Sequence, residues 1–139
     1  MNSNVLVIPM REDLTKLGIE ELRTPKKVDE VFSNQKGTIL LVINSVCGCA
    51  AGNARPGVKI AMNHHVLPDN LTTVFAGQDQ EATAQARSYI EGYPPSSPSM
   101  ALFKDGTLVE MIQRHQIEGR TPEEIATDLT NAFDKHCNS

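Results

Sequence analysis

Residues 38–43, Thr38-Ile39-Leu40-Leu41-Val42-Ile43, carry no charge and are rich in β-branched side chains. That is the pattern of a strand buried on both faces. The stretch from about residue 50 to residue 64 reads as a helix that Pro56-Gly57 should kink or delay. Leu71-Thr72-Thr73-Val74-Phe75-Ala76 is the next strand. Asp79 then offers an N-cap for a helix in which Ala82, Ala86 and Ile90 recur at i, i+4 and i+8 before Gly92. Strand, helix, strand and helix in succession imply parallel pairing with a right-handed crossover.

The last third changes character. Residues 100–103 and 108–112 are apolar runs on either side of Lys104-Asp105-Gly106-Thr107, and an Asp-Gly pair in that position signals a hairpin. The closing helix is marked by a Thr121/Glu124 capping box, Pro122 at the first helical position, and an Ile125, Leu129, Phe133 stripe. The sum is an α/β fold with a mixed sheet covered on both faces. The first 37 residues read less sharply. Thr24-Pro25 starts a helix through Val28, Val31 and Phe32 that ends before Gly37, and residues 11–17 suit a second, with Leu14 and Leu17 inward. Residues 5–8 fit either a strand or an extended cover. With no repeat or linker, residues 1–139 read as one domain, 1–37 a helical extension and 38–135 the core.

Composition narrows the partners. Hydrophobic residues at 40% and charged residues at 22% suit an ordinary globular chain. A net charge of -4 without a basic block argues against nucleic acid or an anionic membrane as partner. No run approaches the ~20 apolar residues that span a bilayer. The N-terminus shows neither a basic leader nor an apolar stretch of signal-peptide length, so the expected location is the cytoplasm. Structural disulfides are rare there, and paired thiols point instead to catalysis or metal binding.

Cys47-Gly48-Cys49 follows the first strand directly and precedes a helix. A helix N-terminus stabilises a thiolate, and the thiolate is the species that attacks disulfides. Filling of the core by small thiols explains one cysteine better than two flanking a single Gly. Cys47, at the loop end of the strand, is the nucleophile candidate, and Cys49 the resolving thiol. Cysteines two apart in an extended segment suit a disulfide poorly, so a Cys47–Cys49 ring should be strained and readily reduced. Gly48 would relieve part of that strain through backbone angles closed to other residues.

From residue 38 to 135 the order of elements resembles a thioredoxin fold. Such proteins carry a cis-proline just before the first hairpin strand, facing the cysteine motif. Pro98, in Ser97-Pro98-Ser99, holds that place ahead of Pro94 and Pro95. More specifically, Asn44-Ser45-Val46-Cys47-Gly48-Cys49-Ala50-Ala51-Gly52 with Ala54-Arg55-Pro56 closely resembles the bacilliredoxin family. Pro9-Met10-Arg11-Glu12-Asp13-Leu14 and Glu20-Glu21-Leu22-Arg23-Thr24-Pro25 match that family's N-terminal region as well. The resemblance implies removal of bacillithiol from mixed disulfides on client proteins, with disulfide reductase or isomerase activity. It implies no resident cofactor, only bacillithiol or another low-molecular-weight thiol as co-substrate. Ordinary thioredoxins differ: their motif has two intervening residues, and their first core strand holds a buried carboxylate that 38–43 lacks.

Other residues carry two readings each. Arg55 could bind an anionic small thiol near Cys47 or be an ordinary surface arginine. Met10 and Pro98 are candidates to line the groove beside the sulfur. His64-His65 reads as a solvated helix terminus before it reads as catalytic, and His115 and His136 show no partner. Cys137 reads as a mobile exposed thiol, or else a resolving or regulatory one. The competing class is a zinc or copper site in which the Cys-Gly-Cys pair joins His64, His65 or Cys137.

Overall fold

The computed structural model describes residues 3–33 and 36–137. Its centre is strand β2, Thr38–Asn44, in which every residue is buried. Even-numbered Leu40 and Val42 enter one core and odd-numbered Ile39, Leu41 and Ile43 the other, as a two-residue period requires. On one flank β2 pairs in parallel with β3, Asn70–Phe75, with Ile43 opposite Val74. On the other it pairs antiparallel with β4, Ser99–Lys104, with Ile43 opposite Ser99. The hairpin strand β5, Thr107–Ile112, closes that side. Its turn has positive φ at Asp105 and Gly106, the conformation an Asp-Gly pair supplies.

Helices cover both faces. One core joins β2 and β4 to α1 (Ser3–Thr15), α3 (Arg55–Ala61) and α5 (Pro122–His136). The opposite core joins them to α2 (Pro25–Phe32) and α4 (Gln80–Arg87). The capping box at α5 forms as expected: Thr121 Oγ1 accepts the Glu124 N–H at 3.1 Å and Glu124 Oε1 accepts the Thr121 N–H at 3.0 Å.

Several expectations are corrected. Residues 5–8 are neither strand nor cover, because α1 runs through them and through Pro9 to Thr15. Val7, Arg11 and Leu14 are all buried, a helical spacing that outweighs the β-branched composition. The first 37 residues also supply a strand. β1, Glu20–Glu21, pairs in parallel with Thr72 and Thr73 of β3, giving the sheet order β1-β3-β2-β4-β5. Asp79 precedes α4 but does not cap it with its side chain. Its carboxylate is held by Arg11 at 2.6 and 3.2 Å, and Arg11 also meets Glu21 at 2.8 Å. Finally, α4 stops at Arg87, so Ile90 lies beyond the helix and packs on the core from the loop.

The expected helix over 50–64 is shorter and has two parts. Ala50–Ala54 is a π-helical turn, in which the Arg55 N–H reaches back to the Ala50 carbonyl, and α3 follows. Pro56 has no N–H to give an α-helical ladder, so the wider turn falls where the ladder is already broken. Gly57 serves packing. A Cβ there would lie 2.8 Å from Ile125 Cγ2 and 3.2 Å from the Pro122 carbonyl, so only Gly lets α5 approach this closely. Among the described residues no helix is long and apolar enough to cross a membrane.

Candidate active site

Beyond Asn44 the chain leaves the sheet and turns into a helix that begins at Gly48, with one thiol just before its first turn and the other within it. Val46 is 52% exposed, Cys47 and Cys49 are half-buried, and Gly48 is exposed. Cys47 occupies the N-cap position: its carbonyl accepts the N–H groups of Ala50 at 3.1 Å and Ala51 at 3.2 Å. Gly48 and Cys49 already belong to the first helical turn. The i, i+2 pair is therefore not extended, as the sequence suggested. Gly48 has no positive φ, and a Cβ there would meet nothing within 4 Å. In this dithiol state a larger residue fits, so a need for Gly48 would arise on oxidation or on approach of a substrate.

Cys47 is surrounded by donors. Ser45 Oγ accepts the Cys47 N–H at 3.3 Å and donates its own proton to Cys47 Sγ at 3.1 Å. Burial raises the Cys47 pKa. The Ser45 hydroxyl, the N–H groups of Ala50 and Cys49, and the positive charge of Arg114 outweigh it, so the thiol ionises below its ordinary value. A cysteine half out of water, capping a helix and hydrogen-bonded in its ionised form, has the features of a nucleophile.

A buried polar shell fixes this loop. Arg55 Nη1 donates to Asn44 Oδ1 at 2.9 Å and to the Ser45 carbonyl at 2.8 Å, while its Nε meets Asp13 at 3.1 Å. Asn44 Oδ1 also accepts the Ser45 N–H at 2.9 Å, and its Nδ2 donates to the Met10 carbonyl at 3.2 Å. Here the surface reading of Arg55 is corrected. It is 4% exposed and its donors face inward, tying α1 to the loop that holds Ser45. Met10 joins this shell through its backbone carbonyl, which accepts the Asn44 Nδ2 proton at 3.2 Å.

Pro98 is buried and the Ser97–Pro98 peptide is cis, as expected. Because Ser99 stands opposite Ile43, Pro98 is level with the Asn44-Ser45 end of β2, on the cysteine side of the sheet. Two arginines hold its loop. Arg87 Nη2 donates to the Ser96 carbonyl at 3.3 Å, and Arg114 Nη1 to the Ser97 carbonyl at 3.2 Å. Sequence reasoning missed Ser45, Asn44 and Arg114 as parts of the site. The first two were visible as a polar pair between an apolar strand and the cysteines. Arg114 gave no signal, since it reaches the thiols only through the return of β5.

The remaining candidates lie apart from the thiols. His64 Nε2 contacts Asp134 at 2.8 Å near the end of α5, and with His65 these make a loose ligand-like group that includes neither Cys47 nor Cys49. His136 pairs with Glu110 at 3.1 Å, and His115 is exposed. Cys137 is half-buried against the core beside Thr38, at the start of β2, not a loose exposed tail thiol. Burial raises its pKa above the ordinary value, and the Thr38 hydrogen bond only partly offsets this. Thr38 and Asn44 bound a seven-residue strand, so Cys137 stands roughly 20 Å from the Cys47 end at ~3.3 Å per residue. The residues that would complete a metal set with Cys47 and Cys49 are thus not brought to them.

Comparisons with known proteins agree with this arrangement. A family model described as disulphide isomerase matches residues 2–137. A bacilliredoxin of Koribacter versatilis is 53% identical over 137 residues, covering 99% of this chain and 94% of that protein. A bacilliredoxin of Salinibacter ruber is 57% identical over 136 residues, 95% of this chain and 79% of that one. One of Staphylococcus haemolyticus is 53% identical over 134 residues, 96% and 92%. Among solved structures, Fasciola hepatica thioredoxin superposes with a TM-score of 0.58 at 19% identity, over 85% of this chain and 99% of that one. A Halobacterium salinarum thioredoxin mutant gives 0.58 at 16% identity, over 86% and 91%. Fold and relatives together define a thiol–disulfide oxidoreductase with a thioredoxin-like fold. Within that class, the chain belongs to the bacilliredoxin family.

Proposed function

We propose that this oxidoreductase removes bacillithiol, or a similar low-molecular-weight thiol, from mixed disulfides on client proteins in the cytoplasm. The Cys47 thiolate attacks the small-thiol sulfur of client–S–S–R. The old S–S bond breaks, the client leaves as a thiolate that takes up a proton, and R is carried as Cys47–S–S–R. The Cys49 thiolate then attacks Cys47 Sγ, forming the Cys47–Cys49 disulfide and releasing R–S⁻. A thiol reductant, in two equivalents or as one dithiol, returns the pair to the reduced state. No resident cofactor is needed, since the small thiol is itself the co-substrate.

One observation carries this reading: the Cys47 sulfur sits at a helix N-cap, receives the Ser45 hydroxyl at 3.1 Å, and remains partly open to solvent. The bacilliredoxin names of the relatives supply the choice of thiol, and the family description supports isomerase activity on clients as an additional capacity. The test is to incubate reduced protein with a client carrying bacillithiol and, separately, with the same client carrying glutathione, and to follow intact masses. The expected result is faster release of the unmodified client from the bacillithiol adduct. Equal or slower release than from the glutathione adduct would refute the proposed thiol preference.

A further inference from the structure

Arg114 is a cation at the mouth of the site whose guanidinium, beyond favouring the Cys47 thiolate, has no assigned part in binding the small thiol. It opens a short 3-10 turn, Arg114–Gln116, just after β5. Its backbone N–H reaches Ser96 Oγ at 3.4 Å and its Nη1 reaches the Ser97 carbonyl at 3.2 Å, which seats it on the loop leading to Pro98. Its Nε meets Glu118 at 2.7 Å, and Nη2 has no partner among the described residues. The side chain is 43% exposed, so the guanidinium is held by the loop yet open to solvent. Arg55, the basic residue nearest to the motif in sequence, is buried and cannot meet a ligand in this way.

We propose that Arg114 forms an anion subsite that recognises a carboxylate on the small thiol while its sulfur is transferred to Cys47. The proposal rests on the exchange reading above, in which the small thiol stays on Cys47 and its remainder therefore lies beside that residue. A guanidinium offers a planar pair of donors suited to a carboxylate. The Arg114–Glu118 pair is exposed on both sides, 43% and 51%. Such pairs are weak, so an incoming carboxylate can displace Glu118. Through the Ser97 carbonyl Arg114 is fixed next to Pro98, which is level with the Asn44-Ser45 end of β2, and its charge favours the Cys47 thiolate.

The experiment uses one uncharged peptide with a single cysteine, carrying either 3-mercaptopropionate (anionic) or 2-mercaptoethanol (neutral). Exchange rates are measured above the titration midpoint of Cys47 in each variant, so that thiolate content cancels. Arg114→Gln should lower the anionic-to-neutral rate ratio roughly fivefold, the worth of one exposed charge pair. Arg114→Lys should keep most of the ratio, and Glu118→Gln should raise it by freeing the guanidinium. If Arg114→Gln slows both adducts equally, or changes neither, the subsite is refuted and Arg114 only supports the loop. Wild-type protein that fails to exchange either adduct would instead refute the oxidoreductase chemistry on small-thiol adducts, a different result.

Discussion

The Ser45 hydroxyl bridges the backbone and the sulfur of Cys47: its oxygen accepts the Cys47 N–H at 3.3 Å and its proton points to Cys47 Sγ at 3.1 Å. Ser45 is itself buried, with its carbonyl held by Arg55 at 2.8 Å. Reactivity at Cys47 thus depends on a chain of contacts that begins in α1 at Asp13.

The hydroxyl favours the ionised thiol, so Ser45→Ala should move the pH midpoint of Cys47 alkylation upward. In a Cys49→Ser background, iodoacetamide should react about tenfold more slowly below the midpoint and equally fast well above it, given the strength of a hydrogen bond to a charged group. The sign extends to stability. A thiol whose folded pKa is depressed stabilises the fold fully above its unfolded pKa, and that contribution is lost as pH falls through the folded pKa. Ser45→Ala should flatten this dependence in the reduced protein. A midpoint that stays put or falls would remove Ser45 from the account.

Arg55→Met keeps apolar bulk but leaves the Ser45 carbonyl without its side-chain donor and Asn44 Oδ1 with the Ser45 N–H alone. Loss of a buried, multiply bonded arginine should cost about 2–3 kcal/mol in urea denaturation and slow exchange as the loop loosens. Arg55→Lys should not restore activity, because a point charge cannot reach Asp13, Asn44 and Ser45 together. A loss under ~0.5 kcal/mol, within the range of ordinary surface substitutions, would show that the shell is dispensable.

Much of the scaffold was legible because local chemistry and tertiary role agree. The residues of β2 are apolar on both faces and are buried on both. Asp105-Gly106 makes the turn its backbone preferences allow, and Thr121 with Glu124 caps α5. The cysteines and Pro98 were legible for their positions beside strand ends. Where local and tertiary demands part, the sequence misled. Residues 5–8 suit a strand or an extended cover, yet packing of Val7, Arg11 and Leu14 makes the segment helical straight through Pro9. A two-residue strand of Glu20 and Glu21 carries no apolar pattern at all. Arg11–Asp79 and Arg55–Asp13 join residues 68 and 42 apart, and Arg114 reaches the cysteines only through the fold. Long-range ion pairs leave no periodic trace.

Gly57 allows a substitution whose sign opposes helix propensity. Ala usually stabilises a helix interior relative to Gly by about 1 kcal/mol. Here the added methyl would press on Ile125 and the Pro122 carbonyl, and overpacking costs about 1–3 kcal/mol. Gly57→Ala should therefore lower the melting temperature, whereas Gly18→Ala would report strain at positive φ rather than crowding. A higher melting temperature for Gly57→Ala would contradict the close α3–α5 packing.

Gly48 separates the reduced state from the oxidised one. In the dithiol, Gly48→Ala has open space and a helical neighbourhood, so reduced-state stability should hold or rise. If closing the Cys47–Cys49 ring demands glycine angles, Ala destabilises only the disulfide and the couple becomes more oxidising, by ~30 mV for each ~1.4 kcal/mol. Equilibration with a glutathione redox buffer reads the shift. An unchanged or lower potential would mean that the ring closes without glycine.

The central claim is that Cys47 attacks and Cys49 resolves, and intact mass of two single variants tests it most directly. With a client carrying a small-thiol adduct, Cys49→Ser should release the client once and stop with that thiol attached to Cys47, while Cys47→Ser should release nothing. Peptide mapping should place the adduct on Cys47. Release by Cys47→Ser with the adduct found on Cys49 would reverse the roles and contradict the account.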